Sequence, residues 1–140
     1  AMTLNAAIRV ALRDNALGLV IDRAPHRGIM GMEAVAENFE NWGNANDWEV
    51  CARIAYQNIE IRGSGGGFFR KLYAQFLREA NLPQLAETMQ EIANEWSAFA
   101  QLLKRIANEK DAALFADASR AIRRLAMREE NFWGRVLDLE

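Results

Sequence analysis

Arg62-Gly63-Ser64-Gly65-Gly66-Gly67-Phe68-Phe69-Arg70-Lys71-Leu72-Tyr73-Ala74-Gln75-Phe76-Leu77-Arg78-Glu79-Ala80 is the stretch whose reading decides the fold. Glycines interrupt the chain and an amphipathic helix starts at once. Phe69, Leu72, Tyr73, Phe76, Leu77 and Ala80 recur every three or four residues, so they share one helical face. The pattern predicts a helix ending near Ala80 that acts as the central strut of an all-α domain.

The flanking segments read the same way. Asn81-Leu82-Pro83 breaks the chain, with Pro83 tolerated in the first turn of a new helix. Leu85, Met89, Ile92, Trp96, Phe99, Leu103 and Ile106 then alternate spacings of four and three, a heptad seam. Asn108 or Asp111 marks the next boundary. Phe115, Ala118, Ile122, Leu125, Phe132 and Val136 repeat on a last helix from about Ala112. Matching seams predict a long antiparallel hairpin.

Upstream, Thr3 suits an N-cap for a first helix reaching about Asp22, with Ile8, Leu12, Leu19 and Val20 on its buried face. Asn15 and Gly18 weaken that helix and predict a kink or break. Ala24-Pro25-His26-Arg27-Gly28 is a turn. A second helix follows from Ile29 or Met30 to Trp42, burying Met32, Val35, Ala36, Phe39 and Trp42. Gly43-Asn44 would stop it with a left-handed residue. Asn46 or Asp47 can cap a third helix to about Ile61. Its apolar residues (Trp48, Val50, Cys51, Ala52, Ile54, Ala55, Ile59, Ile61) wrap more than one face, which predicts a largely buried helix. No period-two strand or internal repeat occurs. The expected architecture is about six helices in a compact bundle.

Composition narrows the function classes. The 140 residues form one expected domain, residues 3–140, with Ala1 ahead of Met2 reading as a tag scar. Such a length buries about 68% of the unfolded surface, enough for a core without metal or disulfides. A net charge of −2 gives no overall field toward nucleic acid or an anionic membrane, so neither is an expected partner. The single cysteine, Cys51, excludes an internal disulfide and makes a reducing cytoplasm the default. The strongest apolar run, Leu17 to Ile21, is too short to span a bilayer.

Two constellations could bind something. Arg62, Gly65, Gly66, Gly67, Arg70, Lys71 and Tyr73 surround the start of the strut helix. There, unsatisfied N–H groups and the positive end of the macrodipole favour an anion or phosphate. Arg70 and Lys71 in the first turn oppose that dipole, so they suit a bound anion better than a bare helix. The competing reading is a tight turn in which Arg70 pairs with a carboxylate from another helix. The sequence is not a P-loop, because the Gly-Lys-Ser/Thr ending and a preceding strand are missing. Arg120, Arg123, Arg124 and Arg128 share one face of the last helix, where like charges four residues apart cost a few tenths of a kcal/mol each. An acidic partner surface would use them for steering; a solvated face relieved by Asp117 and by neighbouring carboxylates is the plainer alternative.

Catalytic candidates are thin. Cys51 and His26 are the only residues for a thiol–imidazole dyad, and Asp47 and Glu49 beside Cys51 disfavour a thiolate. Glu33, Glu37 and Glu40, like Glu87 and Glu91, read as solvated faces. A di-metal bundle needs histidine in helical Glu-x-x-His motifs, and the one histidine is in a turn. No catalytic residue, metal or cofactor is expected.

The segment from Gly63 to Ala80 resembles the pattern GxGGGxFRxxYxxFLxEA of the helical C-terminal domain of butirosin biosynthesis protein H-like proteins. Gly28-Ile29-Met30-Gly31-Met32-Glu33 through Trp42, and Leu85 through Trp96, are similar to that domain's neighbouring helices. The resemblance implies an accessory module beside a papain-like domain that moves an aminoacyl group from a carrier-protein thioester to an amine. That domain would supply the nucleophilic cysteine and histidine. It implies a partner- or substrate-docking role, with the papain-like domain and an acidic acyl carrier protein as partners. The glycine loop would face a substrate or phosphopantetheine. The alternative function is a free-standing helical protein acting through self-association of its apolar seams.

Overall fold

The computed structural model describes residues 2–22, 24–62 and 65–139. Ala1, Gly63 and Ser64, to which the readings above assign a scar and part of the glycine motif, lie outside the described residues. Six α-helices follow one another: α1 Leu4–Ala16, α2 Gly28–Trp42, α3 Trp48–Glu60, α4 Gly66–Glu79, α5 Pro83–Glu109 and α6 Phe115–Leu137. No strand occurs among the described residues, and the all-α expectation holds.

Capping chemistry sets several of these ends. Thr3 Oγ1 accepts the Ala6 N–H at 3.2 Å and starts α1. Pro83 stands in the first turn of α5, where its missing N–H costs nothing. Lys110 ends α5 in the left-handed region at φ 55°. Asp111 then accepts the Ala113 N–H and opens a short 3₁₀ turn, Ala112–Leu114, that feeds α6. The weak point expected near Asn15 and Gly18 is a widening rather than a break: α1 continues as a π-turn over Leu17–Ile21, and the Asp22 N–H reaches back to the Leu17 carbonyl at 2.9 Å.

The spine is the α5–α6 hairpin. Every seam residue of α5 from Leu85 to Ile106, and every one of α6 from Phe115 to Val136, is buried. Helices α3 and α4 pack on α5, whereas α1 and α2 pack on α6. Phe39 of α2 meets Trp42, Phe99 and Phe115 at centroid distances of 4.8–6.0 Å and ties the two halves together.

Three expectations fail in instructive ways. Helix α4 is not the central strut but a flanking helix laid on α5. Phe69 and Leu72 are each 48% exposed, and the face turned inward carries Gly66, Gly67, Ala74 and Leu77 with Arg70 among them. Counting apolar residues located the buried side only in part: Tyr73, Phe76 and Leu77 pack on the core as expected, but the face also carries an ion pair and glycines, and Phe69 and Leu72 fall outside it. Helix α3 is not largely buried. Trp48, Ala52, Ala55, Tyr56 and Ile59 face the core, while Val50, Ile54 and Ile61 point outward, 44–61% exposed. Gly43 ends α2 in the right-handed region at φ −62°. Space is close there, since a Cβ would lie 3.2 Å from that of Ala112, a tight contact.

Candidate functional site

Where the helices converge, one carboxylate is fully enclosed. Glu129 of α6 has no exposed surface. Its Oε1 accepts Arg70 Nε at 2.7 Å and the Trp96 indole N–H at 2.8 Å. Its Oε2 accepts Arg70 Nη2 at 3.1 Å and the Trp133 indole N–H at 3.1 Å. Four donors from three helices therefore converge on two oxygens. The Arg70 guanidinium also lies over the Trp96 ring, 4.9 Å from its centroid. A buried ion pair repays its desolvation only when its remaining hydrogen-bonding capacity is met, and here the carboxylate's is.

Arg70 reaches this carboxylate because α4 starts very close to its neighbours. Gly66 adopts φ +61°, and a Cβ on it would lie 2.5 Å from Ile59 Cγ2 and 2.8 Å from the Ile59 carbonyl oxygen. A Cβ on Gly67 would meet Ser97 Oγ at 2.9 Å and Glu60 Oε2 at 3.0 Å. The Glu60 carboxylate thus occupies the positive end of the α4 dipole. It accepts Ser97 Oγ–H at 2.9 Å and Lys71 Nζ at 3.2 Å.

The residues of the glycine constellation consequently face different ways. Arg70 turns to α6, Lys71 to the end of α3, and Arg62 donates to Gln57 Oε1 at 2.8 Å. Gly66 and Gly67 are buried, and Gly65 is half-buried. Tyr73 packs against Trp133, and its hydroxyl accepts Asn15 Nδ2–H at 3.0 Å. Burial pushes the Tyr73 phenol up from the ordinary value of 10.0, partly opposed by the Asn15 bond.

On α6, Arg120 pairs with Asp117, and Arg128 bridges Glu91 and Glu95 of α5. Arg123 and Arg124 are exposed. Cys51 is a half-buried free thiol on α3. Among the described residues, no group of three or more His, Cys, Asp or Glu side chains could hold a metal, and no helix is long and apolar enough to cross a membrane.

Two clefts flank the Arg70–Glu129 pair. The first, about 410 Å³, opens between α2 and α3 and is floored by Trp96, Phe99, Leu103 and Ile122. The second, about 420 Å³, lies between the π-turn and α4, beside Asn15, Phe69, Tyr73 and Trp133. Leu19 and Arg70 line both. Leu19 is set there by the π-turn and by Gly28 (φ +62°), whose Cβ would come 2.6 Å from the Leu19 carbonyl oxygen.

Sequence reasoning missed Glu129, and the signal was present. In the series Ile122, Leu125, Phe132, Val136, the gap of seven falls at position 129, so a carboxylate occupies a core register position. A glutamate there needs buried donors, and Arg70 with two tryptophans are those donors.

Residues 1–136 match the model of a domain of unknown function, DUF4872, and the chain belongs to that family. No curated protein and no solved structure matches.

Proposed function

We propose that this member of the DUF4872 family is a non-catalytic helical module that docks on a partner through the outer face of α3. The observation that carries the reading is the apolar stripe of Val50, Ile54 and Ile61, which turns away from the core. Two large aliphatic side chains on the solvent side of α3, with Ile61 just past its end, are a standing invitation to burial elsewhere. The seams of α5 and α6 are consumed inside the chain, so the exposed apolar side chains lie elsewhere, on α3 and also on α4 at Phe68, Phe69 and Leu72. Among the described residues, no nucleophile–base pair supports chemistry in the chain by itself.

The likeness of the Gly63–Ala80 segment to butirosin biosynthesis protein H-like proteins supports a particular partner. In this proposal the module sits beside a papain-like domain that transfers an aminoacyl group from a carrier-protein thioester. The exposed Arg123 and Arg124 would meet an acidic carrier protein. Reading the parent gene ahead of Thr3 tests the first part, with a papain-like cysteine and histidine expected. Sedimentation at several concentrations tests the docking face. A monomer that binds the separately produced papain-like domain, and loses that binding in Ile54→Glu, is the expected result. A tight symmetric dimer, or binding indifferent to Ile54→Glu, overturns it.

A further inference from the structure

The cleft between α2 and α3 is independent of the α3 outer stripe, and its shape speaks to a different kind of guest. Helix α2 leans on α6 and α3 leans on α5, so the two diverge over the hairpin and leave a trough. Its floor consists of Phe39, Phe99, Leu103 and Ile122, each under 5% exposed. Those residues lie deep beneath the surface, at the bottom of a cleft that opens to solvent. Its volume of about 410 Å³ is within the range of small-molecule sites.

The trough's polar lining is Arg70 and Glu129 together with His26, Arg27 and Asn58, of which Arg27 is paired with Asp22. Glu129 is saturated by its four donors and has nothing left to offer. Arg70 has five N–H groups and spends two on that carboxylate. Among the described residues its Nη1 finds the Gly66 carbonyl, at 3.5 Å, a poor hydrogen bond. The Arg70 side chain remains one-fifth exposed. An apolar trough that meets a donor-only group with uncommitted N–H is complementary to a hydrocarbon chain carrying an acceptor at one end.

We propose that the α2–α3 cleft binds a small apolar molecule headed by a carbonyl acceptor, a carboxylate or an amide, with the head on Arg70 and the chain along Met32, Val35, Ala55 and Ile59. This site does not depend on the docking face proposed above.

The four tryptophans make the test direct, because they are placed differently. Trp42 and Trp96 line this cleft, Trp133 lines the second, and Trp48 lines neither. Octanoate, N-methyloctanamide and octyltrimethylammonium, titrated below their micellar concentrations, are followed through the indole N–H resonances. The expected result is saturable movement of Trp42 and Trp96 with Trp48 still, for the two carbonyl-headed probes. The ammonium probe, with no acceptor, binds at least about tenfold more weakly. Ala55→Phe, which fills the trough, weakens octanoate by about tenfold or more. Should that variant fail to fold, Val35→Phe at the exposed rim replaces it with the same expectation. The proposal is overturned by unmoved Trp42 and Trp96 at millimolar probe, by movement of Trp133 alone, by equal affinity for the ammonium, or by indifference of octanoate to the filling variant.

Discussion

At the scale of single residues, Glu129 is the most consequential side chain, and the two ends of its ion pair are not equivalent. Removing Arg70 leaves a buried carboxylate with two indole donors; removing Glu129 strands a guanidinium and both indoles. Breaking a buried pair from one side typically costs about 3–5 kcal/mol. Arg70→Met and Glu129→Leu are expected to fall near that range in urea unfolding, with Glu129→Leu the more damaging. Equal costs would mean that the tryptophan bonds contribute nothing. Tyr73 offers a second residue-scale check. Its phenol is held above 10.0 by burial, so the folded state keeps a proton that the unfolded chain gives up. Stability is therefore full below the ordinary tyrosine pKa and declines as pH climbs from there to the raised folded value. Tyr73→Phe should flatten that alkaline decline in melting temperature, and an unchanged slope would contradict it.

At the scale of elements, glycines divide into those that permit contact and those that merely weaken a helix. Gly66 starts α4 with positive φ against Ile59, so Gly66→Ala should cost about 1–3 kcal/mol through strain alone. Loosening the first turn should also dislodge Arg70 from Glu129, visible as shifted Trp96 and Trp133 indole resonances. Gly134 lies inside α6, where a Cβ would meet nothing within 4 Å. Gly134→Ala should stabilise by about 0.5–1 kcal/mol, read as a higher unfolding midpoint. The opposite ranking of these two variants would refute the packing role given to the glycine turn. Element positions were legible beforehand in their heptad and capping signals, as with Thr3, Pro83 and the α5 seam. Which face each helix buries was less so. Helix α4 turns Phe69 outward because Arg70 and two glycines hold the inner face, and an apolar count is blind to both.

At the scale of the whole molecule, two flanking pairs, α1–α2 and α3–α4, lean on opposite sides of one hairpin. That arrangement leaves a trough between α2 and α3 and a bare stripe on α3. Ile54 contributes little to the fold, being 44% exposed, so Ile54→Glu should change stability by less than about 0.5 kcal/mol. It should also diminish the binding of a hydrophobic dye such as ANS. A large loss of stability would show that the stripe is packed within the chain rather than open to a partner.

The helices, their approximate ends and the α5–α6 hairpin are fixed by period and punctuation along the chain, because those signals act between near neighbours. The α4 face, the open side of α3, the four donors gathered on the carboxylate at position 129, and the clefts around Leu19 and Arg70 were decided only by the tertiary structure. Each depends on groups far apart in the sequence, 59 residues in the case of Arg70 and Glu129, and on how much room the backbone leaves where they meet.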